Sequence, residues 1–203
     1  MKIKITLIEA MLGTGCANPD VYREHVAKNA PDGAKVEEEA MALSTDEQVE
    51  KGETIFAKDA DGCPMLFDYQ IKGFFKESLG VLLDYIEKDC KIGKAKLSRW
   101  TSDKIVDNIL FVTPRRVRLN LPEGTQITQC VRPLRCKTMK GERVALAASE
   151  EVPAGTTFEF EVIVLNDDLL PFISKCLDYA KLKGFGQWRN SGKGRATWEE
   201  IKG

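Results

Sequence analysis

The feature that most restricts what this chain can become is a pair of glycine couples, Gly184-Phe185-Gly186 and Gly192-Lys193-Gly194, separated by five residues. Four glycines in eleven positions let the backbone take positive φ and come close to another backbone or to a ligand. A helix-like run precedes them and a short strand-like run follows, so they belong to a helix-to-strand connection. That order excludes two phosphate-binding loops. The Gly-Lys-Ser/Thr ending of a Walker loop is absent, and a dinucleotide-binding turn has its strand before the glycines and its helix after them. Arg189, Lys193 and Arg195 set positive charge beside amide N–H groups, which suits a phosphate-bearing partner and a nucleic-acid backbone in particular. Glycine is also the usual turn residue, so the stretch reads equally well as a tight connection without a ligand.

Charge distribution decides where a polyanion would bind. The 203 residues are enough for one well-buried domain, 1–203, carrying an insertion. Thirty basic and thirty-one acidic residues leave a net charge of -1, so a nucleic-acid site must be a local patch. Between Glu37 and Glu53 seven acidic residues face a single Lys51. From Arg115 to Arg143 the balance reverses, with Arg115, Arg116, Arg118, Arg132, Arg135, Lys137, Lys140 and Arg143 against Glu123 and Glu142. The six cysteines form no Cys-x-x-Cys pair and there is one histidine, so no metal site and no cofactor is expected. The opening residues alternate like a strand and lack the apolar core of a signal peptide, and no run approaches membrane-spanning length. A cytoplasmic protein with reduced thiols is expected.

Along the chain, Ile3, Ile5 and Leu7 alternate with Lys2, Lys4 and Thr6, which predicts a half-buried first strand. Residues 20–53 read as an acidic, helical insertion with few large apolar residues. Thr54 to Lys58 and Cys63 to Phe67 read as strands around the turn signal Asp59-Ala60-Asp61-Gly62. A helix is predicted from Lys72 to Lys88, with Phe75, Leu79, Leu82, Leu83 and Ile86 on one face. Lys72 and Lys76 fall in its first turn, where cations oppose the helix dipole unless an anion is bound nearby. From Ile105 to Leu165 only strands are predicted, with a basic β-hairpin arm over 113–143 turning at Met139-Lys140-Gly141-Glu142. The last helix opens at Asp167-Asp168 and buries Leu169, Phe172, Ile173, Cys176, Leu177 and Ala180. A final strand runs from Arg195 to Ile201. Without the insertion this is an α+β chain in the βαββαβ order of a ferredoxin-like fold, with helices on one sheet face.

Four stretches together resemble the RAMP superfamily of CRISPR-associated RNA-binding proteins, and within it the backbone subunits of type III effector complexes. Asp59-Ala60-Asp61-Gly62-Cys63-Pro64 is similar to the family's Asp-x-x-Gly-x-Pro turn, and Ile71-Lys72-Gly73-Phe74-Phe75-Lys76 to its Leu-Lys-Gly-x-Leu-Arg helix start. Glu150-Glu151-Val152-Pro153-Ala154-Gly155-Thr156-Thr157-Phe158 resembles its Glu-x-Val-Pro-x-Gly-Thr-x-Phe segment. The two glycine couples, with Arg189 between them, match the RAMP glycine-rich signature. The likeness leaves out residues 20–50, and Phe67-Asp68-Tyr69-Gln70 stands where the family has a Pro-Gly-Ser-Ser segment.

The resemblance implies a subunit that holds single-stranded, guide-like RNA by its backbone and assembles with copies of itself or related RAMP subunits, away from any membrane. Lys72, Lys76, Arg189, Lys193 and Arg195 would neutralise phosphates, the amides of Gly184, Gly186, Gly192 and Gly194 would hydrogen-bond them, and Arg115, Arg116, Arg132 and Arg135 would charge the arm. Trp188 has two readings, a base-stacking surface or a core residue at the helix-strand junction. An endoribonuclease is the second expectation. Tyr22, His25 and Lys28 are spaced for one helical face and supply acid, base and cation, and Asp20 is a candidate carboxylate for metal-assisted cleavage. A third is a stand-alone or virus-encoded adaptor that kept the fold and binds a protein complex, which the near-neutral charge and acidic insertion also fit.

Overall fold

The computed structural model describes residues 1–16, 54–85, 91–92, 95–96, 98–138 and 141–201. The 20–53 insertion, and with it Asp20, Tyr22, His25 and Lys28, lies outside the described residues. Fourteen strands and three helices are described. They are β1 (Lys2–Leu7), β2 (Met11–Leu12), β3 (Gly15–Cys16), β4 (Thr54–Ile55), β5 (Ala57–Lys58), β6 (Pro64–Phe67), α1 (Asp68–Tyr85), β7 (Lys91–Ile92) and β8 (Ala95–Lys96). Then come α2 (Arg99–Ile109), β9 (Leu110–Thr113), β10 (Arg116–Arg118), β11 (Thr128–Thr138), β12 (Gly141–Val152), β13 (Thr157–Val164), α3 (Leu170–Tyr179) and β14 (Ala196–Glu200). The α+β class expected from the sequence is present.

The central sheet has the order β14-β1-β13-β9 with every neighbouring pair antiparallel. Alternation decides its two faces. Ile3, Ile5, Leu7, Phe158, Phe160, Val162, Leu110 and Val112 are buried on one side, in a core shared with Ile71, Phe75 and Leu79 of α1, Val106 of α2 and Ile173 and Leu177 of α3. The other side is charged, and Lys4 bridges Glu199 at 2.9 Å across the β1–β14 pair. This ion pair, aided by Glu159, raises the Lys4 pKa above its ordinary value.

Three further sheets are described: a three-stranded one in the order β10-β6-β5, a five-stranded one in the order β11-β12-β4-β3 with β2 also paired to β12, and the pair β7-β8. The β11–β12 ladder runs from Thr128↔Glu151 to Thr138↔Gly141. Among the described residues no helix is long and apolar enough to cross a membrane.

Three local expectations are corrected. The helix predicted from Lys72 starts at Asp68, so Lys72 lies in its second turn and the first turn holds an acid, which complements the helix dipole. The apolar run from Ile105 to Val112, read as one strand, is helical through Ile109 and extended only from Leu110. Its helical half was hidden because the buried positions of α2 include Ser102 as well as Val106, which leaves a weak apolar stripe. The helix expected to open at Asp167-Asp168 is preceded by a 3-10 turn over Asp167–Leu169, capped by Asn166 whose side chain accepts from the Asp168 amide, and α3 begins at Leu170.

Candidate functional site

The glycine couples form the neck of a loop between α3 and β14. Phe185 N–H donates to Gly194 O at 2.9 Å, Gly184 N–H to Ala180 O at 3.1 Å, and Gly194 N–H to Ala10 O at 2.8 Å. All four glycines have positive φ. At Gly184 and Gly194 the reason is also space, because a Cβ on Gly184 would lie 2.5 Å from Gly194 C and one on Gly194 would run into Phe185 O. The neck is pinned by Phe185, 3% exposed, whose ring centre lies 4.1 Å from that of Phe74 and 5.6 Å from that of Phe158. The amides of Gly184, Gly192 and Gly194 thus donate to carbonyls of the protein itself, those of Ala180, Arg189 and Ala10.

Between the couples the chain presents its side chains. Trp188 has φ 53° and ψ 34°, the only positive φ among the described non-glycine residues, a conformation that costs about 1–2 kcal/mol for a residue with a Cβ. The residue is 42% exposed, which rules out the core reading of Trp188. Ser191 Oγ donates to Trp188 O at 2.8 Å, and a 3-10 turn over Arg189–Ser191 follows.

The loop lies against one face of the β11–β12 hairpin. Thr128, Cys130 and Arg132 share that face with Ala147, Ser149 and Glu151 by register. Lys193 Nζ reaches Glu151 Oε1 at 3.0 Å. Arg132 is only 7% exposed; its Nη1 donates to Ser149 Oγ at 2.9 Å and its Nη2 to Gln187 Oε1 at 3.3 Å, while its buried Nε has no partner. Its guanidinium carbon lies 5.1 Å from the Trp188 ring centre. Among the described residues no carboxylate pairs with Arg132. Burial and Glu151 push the nearby Cys130 thiol above its usual pKa.

The remaining candidates fall into separate groups. Arg189 Nη2 meets Glu77 Oε2 at 2.5 Å, and Lys183 shares that carboxylate at 3.5 Å, tying the loop to α1. Arg195 is exposed, donates to Leu182 O at 3.3 Å and makes no ion pair among the described residues. Lys76 bridges α1 to α2 through Asp107 at 2.6 Å. Lys72 donates to Asp107 O at 3.0 Å and sits 5.1 Å from the Phe111 ring centre; burial holds its pKa below the ordinary lysine value. Arg115 meets Asp68 at 3.5 Å, Arg116 is exposed on β10, and Arg135 lies farther along β11 opposite Val144.

Sequence reasoning missed Gln187, Ser149, Glu77 and Glu151, the partners that hold these cations. The pairs are 42 to 112 residues apart where they cross from loop to hairpin and helix, so no local spacing reveals them. Glu150 was missed as well; its buried carboxylate accepts from Phe56 N–H at 2.8 Å and Lys58 Nζ at 2.7 Å, fixing β12 against β5.

No known protein family matches the sequence, and no curated protein matches it. Solved structures do. A chain in the cryo-EM structure of type III-B Cmr-beta bound to cognate target RNA is similar with a TM-score of 0.55 and 12% identity, over 99% of this chain and 58% of that one. The two chains share a fold. A chain of a type IV-B CRISPR complex gives a TM-score of 0.48 and 12% identity, over 100% of this chain and 92% of that one. The protein thus spans less than two thirds of the type III-B chain.

Proposed function

We propose that the protein is a non-catalytic, RAMP-like RNA-binding subunit of a CRISPR-type ribonucleoprotein. It holds single-stranded, guide-like RNA by its backbone and associates with copies of itself or related subunits. The observation that carries this reading is the fold shared with a chain of an RNA-bound type III-B structure. The sheet order β14-β1-β13-β9, entered as strand, helix, strand, strand, helix, strand once the additions are set aside, supports a ferredoxin-like core. The loop chemistry supports it too. Arg132, Lys183, Arg189, Lys193 and Arg195 are carried by the loop or packed close to it, and among the described residues only Glu77 and Glu151 pair with them. The surplus positive charge suits phosphodiesters.

The test is binding of a fluorescent single-stranded RNA by anisotropy across a salt series. Binding that weakens with salt, with log K falling by about 0.7 per phosphate contacted for each unit of log salt, is expected. Lys193→Ala/Arg195→Ala, which removes two cations, should make that slope shallower by about 1.4. No binding at low salt overturns the reading. A protein adaptor then stands in its place, and the pairing of Arg189, Lys193 and Lys76 with internal carboxylates favours that reading. Its mark is a heterocomplex that survives RNase in native mass measurement.

A further inference from the structure

We propose that Trp188 and Arg132 form a shelf that stacks one unpaired base of a single-stranded RNA, a contact separate from phosphate binding by the loop. This rests on the RNA-binding reading above and adds to it a base-recognising element. Three independent observations meet at this point. A large aromatic is held exposed at the crest of the loop, in a backbone conformation otherwise taken among the described residues only by glycine. Beneath it lies Arg132, a residue more than nine-tenths buried, with its buried Nε–H unsatisfied and no carboxylate partner among the described residues. The two are joined in cation–π contact at 5.1 Å, which leaves indole surface exposed.

The chemistry selects the occupant. Arg132 already draws on the π electrons of Trp188, so the exposed ring surface is a poor seat for a second cation such as a methylated ammonium. It suits a flat, neutral, electron-rich ring, and a purine offers more stacking area than a pyrimidine. The uncompensated charge of Arg132 favours a ligand that brings an anion with its ring, as a nucleotide does. Single-stranded RNA has both parts, and its bases splay out to stack on aromatic side chains. Arg132 also fixes the indole through Gln187, the residue before it, so the shelf is rigid before any base arrives.

The experiment compares two probes of equal length, an adenine-rich single-stranded RNA and an abasic phosphodiester chain, on the full protein and on Trp188→Ala, Trp188→Phe and Arg132→Lys. Trp188→Ala should weaken the RNA by about 5- to 150-fold and change the abasic chain by less than about twofold. Trp188→Phe should recover most of the loss, and RNA-induced quenching of tryptophan emission should fall in it, since Trp100 and Trp198 remain elsewhere. Arg132→Lys should weaken the RNA more than the abasic chain. Equal losses on both probes, or no loss on either, overturn the shelf while leaving backbone binding in place. If the unmodified protein binds neither probe at low salt, the RNA reading itself has failed and the shelf with it.

Discussion

Replacing Gly194 and Gly192 one at a time by alanine separates two uses of a loop glycine that look alike in sequence. Both residues sit in the left-handed region, at φ 74° and 90°. Each substitution therefore carries the same conformational cost of about 1–2 kcal/mol. At Gly192 little more is added, because the nearest atoms to a new Cβ belong to the flexible Arg195 side chain at 3.6 Å. At Gly194 the methyl group meets Phe185 O, so the neck must open. Opening it breaks the Phe185–Gly194 and Gly194–Ala10 hydrogen bonds, about 0.5–1.5 kcal/mol each, and loosens the Phe185 ring in the core. These contributions sum to about 2–5 kcal/mol for Gly194→Ala, against about 1–2 for Gly192→Ala. For a chain of this length that is a fall in Tm of roughly 4–20 °C against 2–8 °C. Urea unfolding followed by circular dichroism, with Tm from calorimetry, reads both. Equal destabilisation by the two variants refutes the argument, since it would mean that the crossing of Gly194 over Phe185 contributes nothing.

Two further outcomes concern the core and the base of the hairpin. Burial pushes the Cys176 thiol up to about 12 from 9.0, so the folded state holds this proton more tightly than the unfolded chain. The associated stability is complete below pH 9 and is lost as the pH rises toward 12. The stability advantage of the native protein over Cys176→Ala should narrow by about 1 kcal/mol between pH 7.5 and pH 10, measured by denaturant titration at each pH; an unchanged difference refutes it. Glu150→Ala strands the Phe56 amide and should cost about 1–3 kcal/mol, whereas Glu150→Gln keeps an acceptor for it and should cost less; equal urea midpoints for the two variants would show that the Lys58 ion pair, lost in both, dominates.

Much of the scaffold was legible because it depends on local periodicity. The alternation of Ile3, Ile5 and Leu7 with lysines and threonine, and of Phe158, Phe160 and Val162 with glutamates, located both central strands and their inner faces. The spacing of Ile173, Cys176 and Leu177 located α3. What stayed hidden depends on contacts remote in sequence. Lys193 looks like a free phosphate ligand until Glu151 is seen beside it, and Arg189 likewise until Glu77 arrives from α1. Arg132 stood within a basic segment and was counted with its neighbours, yet it points inward while Val131 is 56% exposed. That inversion, an apolar residue outside and a charged one inside on the same strand, was present in the alternation of β11. It could have been read only by knowing that the glycine loop covers the Arg132 side.

The long β11–β12 ladder has a mechanical consequence. Eleven paired positions at about 3.4 Å each make an arm of roughly 37 Å. Among the described residues its base is fastened at four points, with Glu151 held by Lys193, Glu150 by Lys58, Ser149 by Thr54 and Arg132 by Gln187. A ladder of this length, held at that end, acts as a lever when its far end is loaded. A tilt of about 10° at the root sweeps the far end through about 6 Å, given that length. Read in reverse, a push on the far end arrives at Arg132, the fifth of the eleven pairs and directly beneath the indole of Trp188, scaled to about two fifths.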